Sequence, residues 1–183
     1  MFKIGHEVDG TWVAYDHAKT LTFDDAANRL VCGTVSGDTG TFRSLVNTLP
    51  APLCLLYVLH TPRGEGEPGR YQSPAIENDV LQAFLAEYAD FLAQDARSDF
   101  WVHSLSDGST IVWDRHNRIH VYGDSLGQCK TALEQLGYAE GEVELPTGRH
   151  THHYHAELDE TASKLLVHFE WYRTPLHEAD LQR

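Results

Sequence analysis

Basic residues are scarce in this chain. Its 14 Lys and Arg stand against 27 Asp and Glu, a net charge of −13 with histidine neutral. DNA and RNA backbones are gripped by Lys and Arg, so this balance argues against a nucleic-acid partner. It suits a basic partner protein, or a small anionic ligand met locally by a few arginines. Cysteine is scarcer still. Cys32, Cys54 and Cys129 are far apart, odd in number and free of any CxxC, which speaks against a zinc knuckle and a thioredoxin-type motif. A reduced, cytoplasmic chain is the expectation. No run approaches the roughly 18 apolar residues of a spanning helix. The opening residues 1–10 show no hydrophobic secretion segment, so neither membrane nor export is expected. Fixed-spacing signatures are also missing: no Gly-Lys-Ser/Thr phosphate loop, no HExxH and no GxSxG.

Apolar material is plentiful, at 42% hydrophobic and 10% aromatic, and 183 residues make a single domain the default. Residues 1–50 read as β-rich. Residues 2–15 read as a hairpin around Asp9-Gly10, a pair that favours a type I′ turn. Thr22 to Asp25 opens either a short helix or a turn, residues 30–35 read as a strand, and Thr41 would cap a short helix to Thr48. Residues 53–59, Leu-Cys-Leu-Leu-Tyr-Val-Leu, are a continuous apolar run of strand length. Residues 60–73 form a long Gly/Pro loop. Ser73-Pro74 then reads as a helix start, with Ser as cap and Pro in the first turn. Val80, Leu81, Phe84, Leu85, Tyr88, Phe91 and Leu92 make an apolar stripe at helical spacing. Strands at 100–104, 110–114 and 119–122 form a three-strand meander. A helix to Leu136, a short strand at 142–145, the turn Pro146-Thr147-Gly148 and a last helix capped by Asp159 complete the expectation. The predicted fold is α+β, a mixed but largely antiparallel sheet with about three helices packed on it.

If strands 53–59 and 100–104 are parallel neighbours across a βαβ crossover, both end at one edge, where open sheets tend to bind ligands. That edge would gather His60, Arg63, Arg70, Tyr71, His103, Ser104, Asp107 and Asp124. His60 and His103 are then the candidate acid/base residues. Arg63, Arg70, Tyr71, Ser104 and Asp124 are candidate ligand contacts, because guanidinium grips carboxylate or phosphate in a planar fork. Thr61 and Ser104 directly follow their histidines, which does not fit the His-x-Ser/Thr spacing of two-histidine phosphoesterases. Asp114-Arg115-His116-Asn117 reads as turn chemistry, and the four tryptophans as packing.

Residues 149–157, Arg-His-Thr-His-His-Tyr-His-Ala-Glu, hold a third of the chain's 12 histidines. Read as a strand, they split into two faces. His153, His155 and Glu157 share one, a candidate ligand set for zinc or another divalent metal; His150 and His152 are the alternative pair on the other. Neither face suffices for a catalytic ion without a further ligand such as His60 or His103. Two functions follow. The first is a non-catalytic binding protein with a His/Arg-rich patch and no resident cofactor. The alternative is a hydrolase acting on a small phosphate or carboxylate substrate, metal-assisted or driven by histidine.

Overall fold

The computed structural model describes residues 1–146 and 149–181. Twelve strands form two sheets among these residues. In the small sheet, strand β1 (Ile4–Val8) lies between β2 (Thr11–Ala14) and β11 (His150–His152). The expected hairpin is present, with Asp9 and Gly10 at φ 49° and 78°, as a type I′ turn requires.

The large sheet has nine strands. They are β3 (Thr20–Asp24), β4 (Arg29–Gly33), β5 (Leu53–Leu59), β6 (Gly69–Gln72), β7 (Ser98–Ser104), β8 (Thr110–Trp113), β9 (Arg118–Tyr122), β10 (Ala139–Glu140) and β12 (Tyr172–Thr174). Their spatial order is β10-β3-β4-β9-β8-β7-β5-β6-β12, and only β10 and β3 pair in parallel. The mixed, largely antiparallel α+β architecture and the β7–β8–β9 meander therefore stand, inside a wider sheet than expected.

Among the described residues five helices accompany it, rather than about three: α1 (Gly40–Val46), α2 (Asn78–Gln94), α3 (Leu126–Gln135), α4 (Asp159–His168) and α5 (Glu178–Leu181). None is long and apolar enough to cross a membrane. Strand alternation sets the core. Leu53, Leu55, Tyr57 and Leu59 are fully buried on the face that α1 to α4 cover. Phe84 of α2 stacks on Phe100 at 5.5 Å and on Phe169 at 5.6 Å, and Phe42 of α1 stacks on Trp113 at 4.9 Å. Cys54 and Leu56 point to the opposite face and stay partly exposed.

The decisive correction concerns strand sense. Strand β5 pairs with β7 antiparallel, with Leu59 opposite Ser98 and Leu53 opposite Ser104. The crossover exists, but it runs from β6 to β7. Strand β6 lies in the stretch read as a loop, and its hairpin with β5 reverses the chain once more before α2. Other local preferences yield to tertiary pairing. Thr22–Asp25 belongs to β3 and the turn after it, because its residues pair with Arg29–Val31. Ser73 does not cap α2. Its Oγ accepts Leu55 N at 2.9 Å and Ile76 bridges Leu53, so the helix starts only at Asn78. No strand forms at 142–145; β10 lies earlier. Thr147 and Gly148 of the expected turn fall outside the described residues.

Phe84→Ala should lower unfolding stability by about 3–5 kcal/mol, the range for an aromatic removed from a packed core. Urea denaturation reads this directly; a loss below about 1 kcal/mol would contradict the central position assigned to that ring.

Candidate functional site: an ion-locked edge and its histidine seam

Antiparallel pairing scatters the expected rim. His60 follows β5 at one edge of the large sheet, whereas His103 sits near the other end of β7, opposite Cys54. A strand of this length separates the two edges by about 20 Å. His60 Nε2 meets Asp99 Oδ2 at 3.0 Å, both nearly buried. His103 Nδ1 meets Thr110 Oγ1 at 2.8 Å. Arg63 pairs with Asp159 at 3.0 Å, and Arg70 with Asp180 at 2.8 Å. The Tyr71 hydroxyl donates to Glu67 O, and Ser104 Oγ to Pro50 O. Asp107 accepts from Ser109 and Ser125 in the turn at the His103 edge, and Asp124 is exposed there. Each of the expected pocket residues but Asp124 is thus engaged within the protein, and among the described residues they divide between the two edges.

The His60 edge instead carries a buried ionic network that the sequence reading passed over. Arg97, fully buried, forks onto Asp95 through Nε and Nη2, both at 2.9 Å. Its Nη1 reaches Glu65 at 3.0 Å, and its Nη2 also reaches Asp159 at 2.9 Å. Burial opposes the charge, but the hydrogen bonds and charges of Asp95 and Glu65 outweigh it and push the pKa up. Asp99 Oδ1 accepts Arg115 N at 2.8 Å. Asp114, in the turn between β8 and β9, accepts His116 N, Arg118 N, the Arg118 guanidinium and His120 Nε2. Burial alone would raise its pKa. The hydrogen bond from His120 and the charges of Arg118, His120 and His116 overcome this and hold it well below the usual carboxylate range.

The small sheet docks against this edge. Lys3 Nζ is buried, donates to Asp114 O at 3.0 Å and lies 4.9 Å from the Trp113 ring centre. Burial lowers its pKa to about 8, although Asp114, Asp99 and Asp95 pull the other way. Register puts Ile4 beside His152 and His6 beside His150 on one face of the small sheet. The His116 ring lies 4.6 Å from His152 and 6.5 Å from His150. His17 Nε2 meets His116 O at 2.8 Å, and the Tyr15 ring sits between His17 and His6 at 5.0 and 5.3 Å. This seam holds five imidazoles. The opposite face carries Phe2, Trp12 and His153, whose Nε2 would crowd any side chain at Gly5.

The metal reading changes accordingly. Strand β11 ends at His152, so the alternation that aligned His153, His155 and Glu157 does not continue. The His153 and His155 rings stack at 6.1 Å, but Glu157 is exposed in a 3-10 turn, and His155 Nε2 lies 3.0 Å from Phe2 O. Among the described residues, no three His, Cys, Asp or Glu side chains are placed to hold a metal ion. His150 and His152 face the seam instead.

Two signals pointed to this edge. One is the alternation Asp95-x-Arg97-x-Asp99 ahead of an apolar strand. The other is the Asp114–Asn117 run, which is a turn, with Asn117 at φ 57°, but one whose carboxylate organises the whole edge. Lys3 carried no signal, since only its burial distinguishes it. Compared with known proteins, the chain matches no family model, no curated protein and no solved structure.

Asp114→Asn should cost about 3–5 kcal/mol, because Arg118 and Lys3 keep their charge beside a neutral amide. Its lowered pKa means that the carboxylate's contribution is complete above the ordinary value of 3.8 and is lost as pH falls through the native value. The variant should therefore show a flatter decline of stability below pH 4 than the parent, measured by denaturant melts across pH 2–7. Parallel curves would disprove the ionic role.

Proposed function

We propose that this chain is a non-catalytic binding protein that recognises a basic partner protein through the outer edge of its small sheet. One observation carries the reading: β2 is an unguarded edge strand. It ends the order β11-β1-β2, so one side of its backbone has no strand partner among the described residues. Thr11-Trp12-Val13-Ala14 contains no charge and no proline, the usual guards against edge pairing. Val8, Trp12 and Val13 are 44%, 38% and 36% exposed on this hairpin. By contrast, edge strand β12 carries Arg173 and is followed by Pro175, and β10 is only two residues long. An extended segment of a partner would add to β2 by main-chain hydrogen bonds, with side chains packing on Trp12 and Val13. Glu7, Asp9 and Asp16 flank the hairpin, and the net charge of −13 favours a basic partner.

The hydrolase reading has less support. It needs His60 and His103, or one of them with the arginines, around one concave site. His60 and His103 lie at opposite edges, and the histidines and arginines are already bound to Asp99, Thr110, Asp159 and Asp180.

A photoreactive residue at position 13 should give a discrete cross-linked species in cells, and one at exposed position 83 on α2 should not. Val13→Lys should weaken capture by a cross-linker at position 12 at least about tenfold, as charged edges do. No adduct at position 13, or equal adducts at 13 and 83, would overturn the proposal.

A further inference from the structure

The seam between the two sheets concentrates five of the chain's 12 histidines: His6, His17, His116, His150 and His152. They come from four separate segments and meet only because the small sheet docks. We propose that the seam is an acid-operated latch: protonation of His17, His116 and His152 releases strands β1, β2 and β11 from the edge of the large sheet, which itself stays folded.

The cluster's surroundings set the direction. From the β8–β9 turn, Asp114, Arg115 and Arg118 face it, with His120 behind them on β9 and Asp99 on β7. From the small sheet come Lys3, His6 and His150, with the Glu7–Arg149 pair at the rim. From the segment after β2 come Tyr15 and His17, near Glu144, whose carbonyl accepts the Tyr15 hydroxyl. The carboxylates are already committed: Asp114 to Arg118, His120 and backbone amides, Asp99 to His60 and Arg115 N. Protons added to His116 and His152 therefore meet Lys3, Arg115, Arg118 and one another, while His17 faces the exposed Glu142 and Glu144, which form no ion pair among the described residues. His6 Nδ1 and His152 Nε2 are buried without a hydrogen-bond partner among the described residues, so a proton on His152 Nε2 would have nothing to donate to.

All three shifts share one sign. Burial lowers His152 to about 4, helped by His116, Arg115 and His150. Burial likewise lowers His116 and His17, against the pull of Asp114. A histidine lowered on folding stabilises the closed form above its ordinary value of 6.5, and that stability is lost as pH falls from there toward the native value. For His152 alone, linkage makes opening easier by at most about 30-fold at pH 5 relative to pH 8, less where solvent reaches the ring. Ala96 N donates to His153 O and His155 N to Asp95, so residues 153–155 serve as a hinge.

Hydrogen exchange of the full chain at pH 7.5 and pH 5.0, corrected for intrinsic rates, tests this. Amides of β1 and β11 should lose roughly 10- to 30-fold protection at pH 5.0, while β5 and β7 keep theirs. His116→Gln/His152→Gln should reduce the loss to the share left to His17, and His168→Gln on α4 should leave it unchanged. If the double variant fails to fold, imidazole NMR of the parent decides: His116 and His152 must titrate below 6.5, in step with the opening. Unchanged protection at pH 5.0, simultaneous loss in both sheets, opening undiminished by the double substitution, or seam imidazoles titrating at or above 6.5 would each overturn the latch.

Discussion

One guanidinium ties together the edge on which the rest of the structure depends. Arg97 binds Asp95 at the end of α2, Glu65 in the β5–β6 loop, Asp159 at the start of α4 and the carbonyl of His155 in the histidine segment. It is fully buried, and a charge in that position is tolerable only when its donors are matched by acceptors of fixed geometry. Arginine meets the demand because its planar fork can serve several partners at once, whereas a lysine would offer one point charge. Two remote segments, the β5–β6 loop and the stretch from His155 to Asp159, are thereby held to the start of β7, and the path of that loop and the docking of α4 follow from it.

Asp114 plays the complementary part at the end of the neighbouring strand, β8. A buried anion surrounded by Arg118, His120 and backbone amides holds the β8–β9 turn in shape, and its carbonyl receives Lys3 from the small sheet. The two sheets thus meet through Lys3, the buried Ile4 and a layer of imidazoles rather than through a large apolar core. Such a contact is specific in geometry yet sensitive to protonation, since every added proton is a charge in a crowded site. The same architecture leaves the far side of the small sheet free to present Trp12 and the β2 edge.

Most of the fold was legible because it rests on local period and turn chemistry. The Asp9-Gly10 hairpin, the apolar run of β5, the stripe of α2 and the β7–β8–β9 meander all declare themselves by spacing. Strand β6 did not. Gly69-Arg70-Tyr71-Gln72 is four residues inside a Gly/Pro-rich stretch, too short for an alternation to register, and its pairing partner is what makes it a strand. That one strand inverts the sense of β7 and moves His103 to the far edge. The candidate site was legible only in parts: the histidine segment and the Asp114–Asn117 run stood out, but their meeting did not.

The amino-acid sequence by itself determined the class of the protein: acidic, poor in cysteine, α+β, with its imidazoles gathered in a few short segments. These are properties of composition and of neighbours in the chain. Tertiary structure alone decided which of those imidazoles share a space, which carboxylates are already spent on arginines, and which strand edge is left open. The reason is physical. Burial and charge pairing act between residues as far apart as Lys3 and Asp114, and nothing in the local pattern around either encodes the distance between them.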